Sequence, residues 1–185
     1  DEKVDIVFNP EVMEIYPEWF ETYVEVRDLS KKLCGLSRQT HFQAVATILT
    51  KLFNIVKPNI AIFGQKDFQQ MVIIKKMVRD LNFDIEIIGM PIVREKDGLA
   101  MSSRNVYLNS EERETSLCIC KAITKANNVF YKGARSADEI LIEVRKVIET
   151  EPLAKIDYVK ICDIDTLEDV KVIKDKALLA IACLV

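Results

Sequence analysis

The chain has 185 residues, 49% of them hydrophobic, which is enough for one ordinary core or two small ones. Its 26 basic and 29 acidic residues leave a net charge of -3, which provides neither a basic field for nucleic acid nor a polybasic face for a membrane, so small molecules or other proteins are the expected partners. No apolar run reaches the roughly 18 to 20 residues that span a bilayer, and Asp1-Glu2-Lys3 resembles neither a signal peptide nor an initiator start; the expectation is a cytoplasmic protein whose recorded chain starts within a longer one.

In chain order, Val4-Asp5-Ile6-Val7-Phe8 and Tyr23 to Val26 read as short strands. Val45, Ile48, Leu49, Leu52, Ile55 and Val56 recur at helical spacing and predict a helix from His41 to Val56, ended by Pro58. Next come an apolar strand, Ile60-Ala61-Ile62-Phe63, a polar turn, a helix capped by Asp67 with Met71, Ile74, Met77 and Val78 on one face, and a second apolar run, Ile85 to Ile88. That is a β-α-β unit, and its apolar strands imply a parallel sheet. Residues 1–92 therefore read as the remainder of a doubly wound α/β domain. After Pro91 comes a turn, Arg94-Glu95-Lys96-Asp97-Gly98, then charged helices whose starts are marked by the capping-box spacings Asn109 with Glu112 and Ser136 with Glu139. Strand-like runs at Ile156 to Ile161 and Ala177 to Val185 flank a short helix start at Asp165 to Glu168, giving a smaller α+β domain over 93–185.

The five cysteines, Cys34, Cys118, Cys120, Cys162 and Cys183, form no C-x-x-C pair and have only His41 as a nitrogen partner. They read as small buried hydrophobes, with no protein metal site. His41 opens a helix beside Arg38 and Thr40, where it either meets an anionic ligand or caps and packs. No G-x-G-x-x-G and no Walker lysine is present.

Two stretches suit nucleotide chemistry. Phe63-Gly64-Gln65-Lys66-Asp67-Phe68-Gln69-Gln70 lies between a strand end and a helix start, the edge at which open α/β sheets bind ligands. Gly64 allows close backbone approach, the helix start offers free N–H groups, and Lys66 adds a full positive charge, as a phosphate requires. Asp67 can accept from a ribose, and Gln70 can offer an amide to a polar substrate group. The same residues also fit a solvated Lys66, a merely capping Asp67 and a Gln70 facing water. In Gly98-Leu99-Ala100-Met101-Ser102-Ser103-Arg104-Asn105, two hydroxyls and a guanidinium suit a triphosphate held under a mobile loop, while a polar interdomain linker has similar composition. Phe63 and Met101 are candidates to lie near a base.

Together these two signatures closely resemble those of pantothenate synthetase, the pantoate–β-alanine ligases. The resemblance extends to Val7-Phe8-Asn9-Pro10, Glu14-Ile15-Tyr16-Pro17, Ser37-Arg38 with His41-Phe42, Lys51 to Val56 and Asp84 to Ile87, and thins beyond residue 110. It implies a Rossmann-like nucleotidyltransferase domain and a homodimer. The implied reaction has pantoate attack the α-phosphate of Mg-ATP to give pantoyl adenylate and pyrophosphate, after which β-alanine displaces AMP. Carried over by motif, Gly64, Gln65, Lys66 and Asp67 would contact ATP and Gln70 would hold pantoate. Val93 would lie against adenine, and Met101, Ser102, Ser103 and Arg104 would form the Lys-Met-Ser-Lys-Ser-like segment, with Lys66, Ser102, Ser103 and Arg104 serving catalysis. The family's His-x-Gly-His turn is not among these residues, so the resemblance implies little or no ligase activity for this stretch by itself. Around His41 the usual Arg-Pro-x-His-Phe-x-Gly reads Arg38-Gln39-Thr40-His41-Phe42-Gln43-Ala44. A non-catalytic nucleotide-binding or dimerisation module, and a related nucleotidyltransferase with another acceptor, are the competing readings.

Overall fold

The computed structural model describes residues 3–185. A short helix, α1 (Val12–Ile15), precedes two 3-10 turns (Leu29–Lys31 and Leu33–Leu36) and the long helix α2 (His41–Val56). Strand β1 (Ile60–Gly64), helix α3 (Phe68–Asp80) and strand β2 (Glu86–Met90) follow, and β1 pairs in parallel with β2, placing Ile60 opposite Glu86 and Gly64 opposite Met90. Helices α4 (Ser110–Ser116), α5 (Cys118–Tyr131) and α6 (Ala137–Ile148) lead to β3 (Lys155–Cys162) and β4 (Leu178–Leu184), an antiparallel pair. The class is α/β, with the expected β-α-β unit in the first half.

Three apolar clusters hold these elements. Ala46 and Phe53 of α2 meet Ile74, Met77 and Val78 of α3 over the inner face of β1 and β2. Ala122, Ala126, Ile140, Val144 and Ile148 of α5 and α6 cover Val159 and Ile161 of β3. Between them, Leu29, Leu33, Phe42, Val72 and Ile73 pack on Cys162 and Leu167, so apolar contact runs without a break from the parallel pair to the antiparallel one.

Several expectations need correction. Val4 to Phe8 and Tyr23 to Val26 are not strands: neither pairs with a described strand, and the Val24 N–H donates to Thr47 Oγ1 at 3.0 Å rather than to a ladder. Helix α2 spans the predicted residues, and Val45 and Leu49 of the expected stripe pack on the α3 cluster, but the most deeply buried side chains are Phe42, Ala46, Thr47 and Phe53, and Ile55 and Val56 are exposed. Asn109 and Glu112 form the full capping box, whereas Ser136 provides only its half, accepting from the Glu139 N–H at 3.4 Å. Asp165 to Glu168 is a turn, since Asp163 Oδ1 accepts from the N–H groups of Asp165 and Thr166 at 3.0 and 2.8 Å and Leu167 takes φ +57°, which ends helical winding.

Candidate active site

At the carboxyl end of β1 the chain enters a 3-10 turn, Gln65–Asp67, before α3 begins, and the turn lies at the mouth of a cavity of about 500 Å³. Gln65, Lys66, Asp67 and Gln70 line one wall, and Arg38 and His41, at the start of α2, line the next. Arg94 and Ala100 close a third side, with Tyr158 and Leu178 to Ala182 of the antiparallel pair behind. The cavity thus sits where the two halves of the chain meet.

Its charge is opposite to that of the protein. Arg38, Lys66 and Arg94 supply three cations against the single carboxylate of Asp67, in a chain of net charge -3. Such a wall attracts a polyanion, and its partly desolvated setting strengthens each contact. Lys66 Nζ stands 3.7 Å from Asp67 Oδ1, with both side chains solvent-accessible. Asp67 does not cap α3 as expected: its backbone lies at φ -98° and ψ 57°, and the 3-10 turn before it directs the carboxylate to Lys66 instead of to the helix N–H groups.

Partial burial and then the Arg38 guanidinium lower the His41 pKa below its usual 6.5, with Arg104 adding to the effect and Asp67 opposing it. Burial pushes the Tyr158 phenol up to about 12 and raises the Cys34 thiol. Gln65, Lys66, Asp67, Gln70 and His41 therefore come together in one cavity. Gly64 borders it, with φ -77° and no atom within 4 Å of where a Cβ would project, so its face is open to a ligand. Phe63 packs with Ala61 and Ile87 against the α2–α3 core.

The second signature forms a hairpin. Arg94 bridges Ala100, Gly98 turns the chain at φ +97°, and the Met101 N–H donates to the Val93 carbonyl at 2.9 Å, which brings those two exposed candidates together. Ser102 Oγ accepts from the Arg104 N–H at 3.2 Å and opens a 3-10 turn, Ser103–Tyr107. Val93, Met101, Ser102, Ser103 and Arg104 are not among the cavity-lining residues; they flank it on the hairpin. Arg113 anchors the hairpin, donating to Glu95 Oε2 at 2.7 Å and Asp97 Oδ2 at 2.6 Å, while Asn105 donates to Glu95 Oε1 at 2.7 Å. Sequence reasoning did not single out Arg94, Cys34 or Tyr158 for the site; the Arg94-to-Ala100 hairpin register was the available signal for the first, and the other two reach the cavity through tertiary packing alone. Among the described residues no three His, Cys, Asp or Glu side chains converge as a metal cage.

Known proteins resemble this chain along nearly its whole length. Curated pantothenate synthetases of Syntrophus aciditrophicus and Thermoanaerobacter sp. (strain X514) are 53% identical over 182 residues and 54% identical over 184 residues, matching 98% and 100% of this chain. The chain spans 64 and 65% of the length of those two relatives. A crystal structure of the Thermus thermophilus pantothenate synthetase superposes with a TM-score of 0.95 at 39% identity, covering 98% of this chain and 66% of that one. One of the Francisella tularensis pantoate-beta-alanine ligase, complexed with Beta-gamma ATP and Beta-alanine, superposes at 0.61 with 30% identity, over 85% of this chain and 56% of that one. The family model described as Pantoate-beta-alanine ligase matches residues 1–185, and the chain belongs to that family.

Proposed function

We propose that this chain carries the nucleotide-phosphate edge and the smaller 93–185 domain of a cytoplasmic, homodimeric ligase that condenses pantoate with β-alanine at the expense of ATP. The observation that carries the reading is the cationic cavity at the β1 carboxyl end, lined by Gln65, Lys66, Asp67 and Gln70 of the stretch that resembles the pantoate–β-alanine ligases. In the first step a pantoate carboxylate oxygen bonds to the α-phosphorus of ATP and pyrophosphate leaves. In the second the β-alanine amine bonds to the acyl carbon, AMP leaves, and the amine proton passes to solvent.

The residues take roles that follow from their chemistry. Lys66, with Arg38 and Arg94 near it, neutralises charge that accumulates on phosphate oxygens, and the open face of Gly64 lets those oxygens approach the backbone. Asp67 accepts from ribose hydroxyls, and the Gln70 amide orients pantoate. Val93 and Met101 flank the base, and Ser102, Ser103 and Arg104 close on the phosphates as the hairpin folds over. His41, whose pKa is lowered by burial and by Arg38, acts as a hydrogen-bonding group rather than a fourth cation. Mg2+ enters as part of the substrate, carried on the ATP phosphates.

Pyrophosphate exchange into ATP tests the reading, since it reports adenylation without β-alanine. The full-length protein should exchange only when pantoate is present, and Lys66→Ala should lower kcat/KM by roughly 10²-fold, the usual cost of removing a group that meets developing charge. Exchange that is indifferent to pantoate, or unaffected by the substitution, would overturn it.

A further inference from the structure

The first glutamine of the Phe68-Gln69-Gln70 run, unlike its neighbour, is turned away from solvent and makes a three-way clasp. Gln69 is buried, its Nε2 donates to the carbonyls of Leu29 at 2.9 Å and Lys32 at 2.6 Å, and its Oε1 accepts from the Cys34 N–H at 3.2 Å. All three partners are backbone groups of one short segment beside the apolar cluster of Leu29, Leu33 and Phe42; the Lys32 carbonyl also accepts from the Gly35 N–H at 2.8 Å, so the loss of Gln69 bears most on the Leu29 carbonyl and the Cys34 N–H.

That segment does not hold its shape by local preference. Leu33 adopts φ +45°, a left-handed conformation that is costly for a branched side chain. A Cβ on Gly35 would stand 1.9 Å from the Ser30 carbonyl oxygen, so only glycine fits there. Buried Ser30 Oγ has no hydrogen-bond partner. On its other side the segment is tethered to the second half of the chain, where Lys32 Nζ donates to the Thr166 carbonyl at 2.7 Å and pairs with Glu168. Leu33 and Cys34 of this segment line the cavity with Arg38, which lies just beyond it and whose N–H donates to the Cys34 carbonyl at 3.0 Å.

We infer that Gln69 is a positioning residue of the site: by fastening a strained backbone segment to α3, it fixes the wall that carries Cys34 and Arg38 opposite Lys66 and Gln70. The clasp is a statement about the fold, and its catalytic consequence rests on the ligase reading above. Gln70, next along the helix, is expected to meet substrate, whereas Gln69, which also borders the cavity, has both ends of its amide engaged by the clasp and acts through the wall.

Two readouts on the full-length protein separate these levels. Alkylation of Cys34 by iodoacetamide, followed by peptide mass, reports whether the segment opens; Gln69→Leu should accelerate it by about tenfold, the population shift expected from losing one net hydrogen bond. Cys120 alkylation should not change. Val144→Ala, fully buried in the distant α5–α6 core, serves as a control of comparable instability and should leave the Cys34 rate alone. In pyrophosphate exchange, under conditions where each variant is folded by circular dichroism, Gln69→Leu should raise KM severalfold more than it lowers kcat, and Val144→Ala should change neither. An unchanged Cys34 rate, or equal effects of the two variants, overturns the clasp. If Gln69→Leu does not fold, Lys32→Met releases the other tether and should accelerate Cys34 about threefold, with no acceleration counting against the proposal. Loss of pantoate dependence in the wild type would instead defeat the ligase reading and leave the alkylation result standing.

Discussion

Ile73→Ala should be among the most damaging substitutions that touch no ligand. Ile73 is 0% exposed and sits in the central cluster with Leu29, Leu33, Phe42, Cys162 and Leu167, contributed by four separate stretches of chain. The change removes three carbons, a transfer loss of roughly 2.4 kcal/mol at roughly 0.8 per buried methylene. The cavity adds to this, because its walls cannot collapse: the 29–36 segment is pinned by Gln69 and α3 is packed on its other side by Ala46 and Phe53. The total is about 4 kcal/mol, or roughly 8 to 16 °C in Tm for a domain of this size. Urea denaturation followed at 222 nm measures it; Trp19, 85% exposed, is a poor fluorescence reporter. Ile73→Val should cost about 1 kcal/mol, and Ile142→Ala, on the exposed side of α6, less than about 0.5 kcal/mol. A loss below about 1.5 kcal/mol for Ile73→Ala would refute the claim that the two halves share an unyielding core.

Two pH effects follow from the ion pairs. The Arg113 hydrogen bond holds Glu95 below its ordinary 4.5, and the Leu99 N–H together with Arg113 holds Asp97 below 3.8. Folded-state values that are depressed mean that the cluster's contribution is complete above those ordinary values and is lost as the pH falls through the lowered ones. Arg113→Met should therefore raise both carboxyl midpoints in an NMR titration and loosen the Val93-to-Asn105 hairpin; unchanged midpoints would show that the anchor does not persist. Glu143, between Lys146 and Lys125, is lowered to about 2, and its carboxyl resonance should titrate there. A midpoint near 4.5 would mean that these exposed pairs exchange freely with water.

What the sequence disclosed was local. The β-α-β unit, the ends of α2 and the Asn109 cap all follow from periodicity, Pro58 and a three-residue spacing, each decided within one turn or one strand. Lys66, Asp67 and Gln70 were legible because the strand-to-helix edge that gathers them is itself a local pattern. The strands assigned to Val4–Phe8 and Tyr23–Val26 had the right composition, but a strand exists only where a partner offers its ladder, and composition does not record the partner. The burial face of α2 was read only in part for the same reason: Val45 and Leu49 of the expected stripe do pack on the core, but several stripes on that helix are apolar, and only the position of α3 makes Phe42 and Phe53 its deepest side chains.

Gln69 and Gln70 show why a residue that clasps the wall of a cavity is harder to read than one exposed at it. Both are glutamines at the start of one helix, one residue apart, and so about 100° apart around its axis. That rotation directs Gln69 into backbone carbonyls 37 and 40 residues upstream and leaves Gln70 partly exposed at the cavity. Nothing in the dipeptide distinguishes the two. The difference lies in the 29–36 segment, whose left-handed Leu33 and crowded Gly35 make a backbone that needs an external clasp. The strain and its restraint thus lie far apart in sequence and meet only in the fold. A chain that places three cations around a small cavity must also hold them apart against their mutual repulsion, and rigid backbone on the Arg38 side supplies that constraint without placing a further charged group at the wall.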